Sequence, residues 1–412
     1  VGNVMQDYIE RSYRRDRRPP VEANTIHDNA AIVGIGQTEY TRNSGRDELD
    51  MACEAIRAAV ADAGLTMADI DGLEAFTLER TSMPTLVGSL GIPNLRFTSE
   101  ISYGGGASCA NLMHAAAAVT TGVANYVVCY RSLNEASGHR YGRGDGYATY
   151  LSEAPTLHYG YYFPFGLLTP LSWASMYGRR WMHEYKVDPD DIGWYSVVLR
   201  ENANRNPNAI FYDKPITIDD YRASQMIVEP LRLFDCCVDT DGAAAVIVTT
   251  AERAKDLQQS PAYILAAAQA STPESEIQTS YNRTPMSGLP DSWYVGQELY
   301  RIAGVGPGDI DVAELYDPFS LGGILQLEEL GFCERGEGAE FCRGGDNIRV
   351  GGKIPINTSG GLLSEAYIHG YNLIIEAVRQ VRGTSTSQVD DVELAMVTAG
   401  PGLPTSGMIL RK

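Results

Sequence analysis

Two glycine clusters, Gly104-Gly105-Gly106 and Ser359-Gly360-Gly361, each open an apolar helix that leads into an apolar strand, and the chain around them repeats one plan. The first copy starts with the strand-like run Ala30-Ala-Ile-Val-Gly-Ile-Gly36. Apolar residues at helical spacing follow from Asp47 to Ala63, with Gly64 as the stop. An alanine-rich helix runs from the first glycine cluster to about Gly122, then the strand Tyr126–Tyr130. The second copy reads as strand 262–268, helix 291–303, strand and loop 312–320, and helix 321–330. It ends with one long helix from Ser359-Gly360-Gly361 to about Val381 and strands at 393–398 and 408–410. Such a repeat at domain scale predicts two similar α/β halves facing each other. Between them, residues 132–232 are aromatic-rich, with helices expected at 171–186 and 190–203 and no clear strand. They read as an inserted loop domain, after which Gly242–Thr249 restores the sheet. The expected division is 29–131 with 233–256, then 132–232, then 257–412, behind a basic extension at 1–28.

Charge narrows the function. With 33 Lys plus Arg against 52 Asp plus Glu, the net charge of −19 argues against a nucleic-acid partner. Seven scattered cysteines without a CxxC pair suggest a reduced, cytoplasmic chain with no metal site of its own. No apolar run is long enough for a membrane span. Glycines that open a helix leave amide donors at its positive end, so both clusters, and the third turn Ala399-Gly-Pro-Gly402, suit either tight packing or an anion or developing oxyanion.

Four ordered blocks carry a family resemblance: Val33-Gly-Ile-Gly-Gln-Thr-Glu39, Phe234-Asp-Cys-Cys-Val-Asp-Thr-Asp-Gly-Ala-Ala-Ala245, Glu314-Leu-Tyr-Asp-Pro-Phe-Ser320 and Ile356-Asn-Thr-Ser-Gly-Gly-Leu-Leu-Ser364. From about residue 29 to 412 the chain resembles the thiolase superfamily, in particular its sterol-carrier-protein-x type members. That implies two βαβαβαββ halves in a five-layered αβαβα body with an inserted loop domain, normally dimeric. The departures matter more. Where thiolases carry the nucleophilic cysteine the alignment has Gly105, with Cys109 one turn further on. The second thiolase cysteine aligns with Val397, the activating histidine with Tyr367, and the Asn or His that holds the oxyanion-stabilising water with Tyr316.

Without a thiolate, acyl transfer lacks its attacking atom. Two phenols in catalytic positions can instead donate hydrogen bonds, stabilise an enolate or, if their pKa near 10 is depressed, shuttle a proton. The pattern is similar to the steroid side-chain-cleaving aldolases of actinobacteria. This resemblance implies a retro-aldol lyase acting on a 17-hydroxy-steroid-20-carboxyl-CoA, with Tyr316 and Tyr367 catalytic and backbone amides near Gly105, Gly106 and Gly400 facing the enolate. It also implies a homodimer joined to an OB-fold, zinc-ribbon-like partner in an α2β2 complex. CoA is then part of the substrate, no cofactor sits in this chain, and any zinc belongs to the partner. On a continuous helix Tyr371 would share the face of Tyr367 and His369 would point away. Both, with Asp317, are additional candidates. Arg179, Arg180 and Lys186 are candidates for the CoA phosphates, and Tyr141–Tyr162 for the partner interface. Cys236-Cys237 reads as structural and His114 as a core or interface residue. Two rival functions remain, a non-catalytic acyl-CoA or sterol carrier and a condensing enzyme that uses Cys109.

Overall fold

The computed structural model describes residues 24–102, 104–138, 162–272, 286–400 and 405–412. The first half runs β1 (Ala30–Gln37), α1 (Glu48–Asp62), β2 (Gly72–Phe76), α2 (Met83–Leu90), β3 (Phe97–Ile101), α3 (Ser108–Thr120) and β4 (Val127–Asn134). An insertion follows, with helices α4 (Pro170–Tyr185), α5 (Pro189–Ala203) and α6 (Ile218–Ala223), and the short paired strands β5 (Met226–Val228) and β6 (Leu231–Arg232). Strand β7 (Asp241–Thr250) closes the half, giving the expected βαβαβαββ order. After the short α7 (Ala251–Ala254), the second half runs β8 (Ala262–Ala270), α8 (Pro290–Ala303), β9 (Val312–Glu314), α9 (Ser320–Glu329), α10 (Gly338–Cys342), α11 (Gly361–Ser364), α12 (Tyr371–Arg382), β10 (Leu394–Ala399) and β11 (Thr405–Arg411).

Nine strands form one sheet, ordered β3-β2-β4-β7-β1-β8-β11-β10-β9. The repeat is visible in the strand senses outward from the β1–β8 seam, which is itself antiparallel. On one side β1 meets β7 and β7 meets β4 antiparallel, then β2 and β3 follow parallel. On the other side β8 meets β11 and β11 meets β10 antiparallel, then β9 is parallel and Ile356 bridges Ala313 in parallel at the edge.

Alternation along the strands divides the core into layers. Ala243, Ala245 and Ile247 of β7 pack with α1, whereas Ala244, Val246 and Val248 join α3 and α12. In the other half Met408 and Leu410 face α3 and α12, and Ile409 faces the outer side with α8, α9 and the insertion helices. Helices α3 and α12, the two that follow the glycine clusters, therefore fill the middle of an αβαβα stack.

Helices with clear caps lie where their period places them. Asp47 caps α1 by accepting the Asp50 N–H at 2.8 Å, and α4 begins with a Thr169–Ser172 capping box. Three readings need correction. The second glycine-opened helix is not continuous: α11 stops at Ser364, and α12 restarts at Tyr371. His369 (φ 47°) and Gly370 (φ 87°) are in the left-handed region, which a right-handed helix cannot pass through. The insertion also contains a two-stranded hairpin, too short to show a period. Of the basic extension at 1–28, residues 1–23 lie outside the described residues, but the end is docked. Ile26 is buried, His27 Nδ1 lies 2.7 Å from the Leu265 carbonyl oxygen, and Asp28 pairs with Arg411.

Candidate active site

Tyr316 leaves the end of β9 with its backbone clamped on both sides. Its N–H donates to Thr398 Oγ1 (3.0 Å), and its carbonyl accepts from Gln326 Nε2 (2.6 Å). Thr398 Oγ1 in turn donates to Gln326 Oε1 (2.6 Å). The ring runs toward the first glycine cluster. A Cβ on Gly105 would overlap the Tyr316 hydroxyl and Cζ, so the phenol occupies the space where a side chain at 105 would begin. Opposite it, the Tyr367 hydroxyl lies 3.2 Å from the Tyr316 hydroxyl. Tyr367 is carried by the non-helical stretch between α11 and α12, with its N–H donating to Thr240 Oγ1 (2.9 Å). Tyr316 is only 2% exposed, while Tyr367 and Gly105 keep some exposure, so the phenol pair has a deep member and a member nearer the surface.

Both hydroxyls stay protonated at neutral pH. Burial is the main cause raising each pKa above its ordinary value of 10; the bond to Tyr367 offsets this in part for Tyr316, and Tyr316, Cys237 and Glu135 raise Tyr367 further. The depressed phenol considered from the sequence is therefore absent, and the pair is equipped to donate and relay protons rather than to hold a resting phenolate. His369 is neutral, because burial and the nearby Arg131 charge push its pKa well below 6.5. The Cys109 thiol points at the Val397 carbonyl (3.7 Å) and is held protonated by burial. That geometry removes it as a nucleophile, and with it the structural basis for a condensing enzyme.

Residues 273–410 match the thiolase C-terminal domain-like family. A steroid side-chain-cleaving aldolase from Thermomonospora curvata is 51% identical over 92% of this chain and 97% of its own. A 17-hydroxy-3-oxo-4-pregnene-20-carboxyl-CoA lyase from Mycobacterium tuberculosis is 50% identical over 93% of this chain and all of its own length. Among solved structures, the Ltp2-ChsH2(DUF35) aldolase superposes with a TM-score of 0.89 at 49% identity, covering 94% of this chain and 98% of that one. The chain belongs to the steroid side-chain-cleaving aldolase family.

Within this aldolase the remaining candidates fall into three groups. Some are in the site but not as read from sequence. His369 does not point away from Tyr367; the two rings meet edge to face at 5.0 Å and 83°. Thr398, rather than Val397, reaches the Tyr316 backbone, and Val397 is buried in β10. Others support the site from behind. Tyr371 does not share a helical face with Tyr367. It is fully buried, and its hydroxyl accepts from Asn111 Nδ2 of α3 (3.2 Å). Asp317 is buried just past the end of β9, its Oδ1 accepts the Leu362 N–H at 2.9 Å, and burial pushes its carboxyl pKa well up. Gly106 is tied through its carbonyl to Ser406 Oγ (2.5 Å), and Gly400 (φ 115°) ends β10, with residues 401–404 outside the described residues.

The third group is not brought to the tyrosines. Arg179 pairs with Glu229 at 3.2 Å and Arg180 with Glu184 at 2.5 Å, while Lys186 (φ 54°) caps the end of α4. None of the three contacts Tyr316 or Tyr367 among the described residues. His114 lies on α3, its Nδ1 3.9 Å from Glu74. Cys236 packs with the second-half core, and Cys237, like Tyr367, packs against the cluster that holds Tyr316. Of the aromatic stretch Tyr141–Tyr162, residues 141–161 lie outside the described residues. Glu135, Thr240, Gln326 and Arg131 were not singled out from the sequence. Among the described residues no group of three His, Cys, Asp or Glu side chains is placed to hold a metal ion. No helix there is long and apolar enough to cross a membrane.

Proposed function

We propose that this chain is the aldolase subunit that cleaves a 17-hydroxy-steroid-20-carboxyl-CoA to a 17-ketosteroid and propionyl-CoA. The observation that carries the reading is the Tyr316 hydroxyl in the space of the missing residue-105 side chain, 3.2 Å from the Tyr367 hydroxyl. The relatives' names support the substrate class. In the reaction the C17 hydroxyl loses its proton as C17–O becomes a carbonyl, and the C17–C20 bond breaks. Its electron pair moves to C20 and the thioester as an enolate, and a proton returns to C20. One proton enters and one leaves, with no oxidation or reduction. A hydrogen-bonded pair of protonated phenols can close this cycle by itself: one oxygen accepts the alcohol proton as the pair delivers another proton to the enolate. Amides of the turn near Gly105, Gly106 and Gly400 are candidates to stabilise the enolate oxygen.

A homodimer with OB-fold, zinc-ribbon-like partner subunits in an α2β2 complex extends this reading, supported by the two-part name of the solved relative. A cytoplasmic setting fits seven cysteines of which none forms a disulfide. For the CoA phosphates Arg179, Arg180 and Lys186 stay candidates, the two arginines by exchanging Glu229 and Glu184 for the substrate. The test is to incubate the chain, co-expressed with its OB-fold partner, with 17-hydroxy-3-oxo-4-pregnene-20-carboxyl-CoA and follow both products by mass spectrometry. Equimolar propionyl-CoA and 17-ketosteroid are expected. Intact substrate bound to a folded complex would favour a carrier.

A further inference from the structure

We propose that His369 is a positioning residue for Tyr367, fixed by the buried Arg131–Glu79 pair as the neutral tautomer with its proton on Nε2; this rests on the retro-aldol reading above. The chain of contacts is continuous. Glu79 Oε2 accepts from Arg131 Nη1 (2.9 Å) and from the Ser132 N–H (3.1 Å), and Arg131 Nη1 also donates to the Leu78 carbonyl (3.1 Å). Both side chains of the pair are 2% exposed. Arg131 Nε then donates to His369 Nδ1 at 3.0 Å. A guanidinium has only donors and keeps its proton, so Nδ1 must offer its lone pair. A neutral ring with an accepting Nδ1 carries its hydrogen on Nε2, an assignment that follows from the hydrogen-bond network. The Phe76 ring backs both partners, with centroids 5.7 Å from the Arg131 guanidinium carbon and 6.0 Å from the His369 ring.

The opposite side of His369 is the edge-to-face contact with Tyr367, whose hydroxyl meets Tyr316. Among the described residues, the charged and titratable groups that act on this assembly include Arg131, with its partner Glu79, on the His369 side and Tyr316, Cys237 and Glu135 on the Tyr367 side. His369 is buried at 1% exposure and holds a φ of 47°, a conformation that a non-glycine residue adopts only where its surroundings impose it. The arrangement excludes His369 Nδ1 as a proton acceptor in turnover, since an added proton there would face the Arg131 N–H. The imidazole instead acts as a wall that sets the direction of the Tyr367 ring.

Two measurements on the complete complex test this. In 15N-labelled protein, with His369→Asn identifying the signal, the imidazole should show an unprotonated Nδ1, a protonated Nε2 and no titration between about pH 5.5 and 8. A protonated Nδ1, or an imidazolium in that range, would overturn the assignment whatever the enzyme's activity. In single-turnover cleavage His369→Asn, whose amide oxygen can still accept from Arg131, should retain about 10-fold more rate than His369→Leu, with substrate KM unchanged in both. The Arg131→Met/Glu79→Gln double variant, which leaves neither charge unpaired, should shift the imidazole ionisation upward from its wild-type position, burial still holding it below the ordinary range, and the shifted ionisation should vanish on adding His369→Asn. Equal losses in the Asn and Leu variants with no shifted ionisation would mean that His369 is only structural. If the double variant does not fold, the Asn–Leu comparison decides alone. If wild type itself releases no propionyl-CoA, the retro-aldol reading fails, while the nitrogen spectrum still reports the tautomer.

Discussion

A methyl group at position 105 has nowhere to go while Tyr316 keeps its place. Gly105→Ala should therefore reduce single-turnover cleavage by about 100-fold, through displacement of the phenol rather than loss of any contact of its own. In a Tyr316→Ala background the same change should cost less than about 3-fold, because the clash is gone, and a full additive loss would show that Gly105 acts otherwise. The protonation of the pair makes a second prediction. In the proposed relay the active form carries both phenolic protons, and burial moves their loss above the ordinary value of 10. The cleavage rate should accordingly stay level from about pH 7 to 9, and a phenol ionisation that switches activity on within that range would contradict the relay. At this scale the sequence was informative where motif and chemistry coincide. Tyr316 and Tyr367 were legible because they replace residues of known role. Thr240 and Arg131 were not, because they reach Tyr367 and His369 only through the fold, from more than a hundred residues away.

The decisive element is the stretch of six residues between α11 and α12. Its apolar spacing suggests a helix, but the Glu365 carboxyl is held in the buried interior by partners off the helix ladder, Ser359 Oγ (2.6 Å), Asn372 Nδ2 (2.9 Å) and, from 159 residues away, Asn206 Nδ2 (3.1 Å). Periodicity sees none of these partners, so the helix was expected to continue and His369 and Tyr371 were placed on the wrong faces. Gly370 completes the break at φ 87°, and a Cβ there would stand 2.9 Å from Ser108 Oγ and 3.1 Å from Tyr316 Cδ2. Gly370→Ala should destabilise the protein by about 1–2 kcal/mol in urea unfolding and reduce the rate at the same time. Unchanged stability with unchanged rate would show that this stretch tolerates another geometry. By contrast α1, α4 and α5 were read within a residue or two of their limits, because caps and apolar spacing act locally. β2 and β3 escaped notice for the opposite reason: β2 buries Glu74 within its run and β3 alternates through Thr98 and Glu100.

Across the whole molecule the repeat in sequence became a repeat in strand sense, with the two glycine-led helices packed together at its centre. The fold also buries carboxyls whose pKa desolvation raises, with Glu74 raised to about 8 and Glu328 and Glu365 each to about 7. Each folded pKa exceeds the ordinary value of 4.5. The unfolded chain therefore releases its protons first as pH rises, and stability falls from about pH 4.5 up to the folded values. Glu74→Gln removes one such penalty. It should raise stability at pH 8.5 by on the order of 2 kcal/mol and leave it nearly unchanged at pH 5, as read by urea unfolding at the two pH values. A gain of equal size at both would mean that Glu74 is already ionised in the fold.

The central claim is that the hydrogen-bonded tyrosines perform the cleavage from the place of the absent nucleophile. Its most direct test is single-turnover propionyl-CoA release, at saturating 17-hydroxy-steroid-20-carboxyl-CoA, by the partner-bound wild type and by Tyr316→Phe and Tyr367→Phe. Each variant should bind substrate within a few-fold of wild type and lose about 100-fold or more in rate. Release at the wild-type rate by either variant would contradict the account.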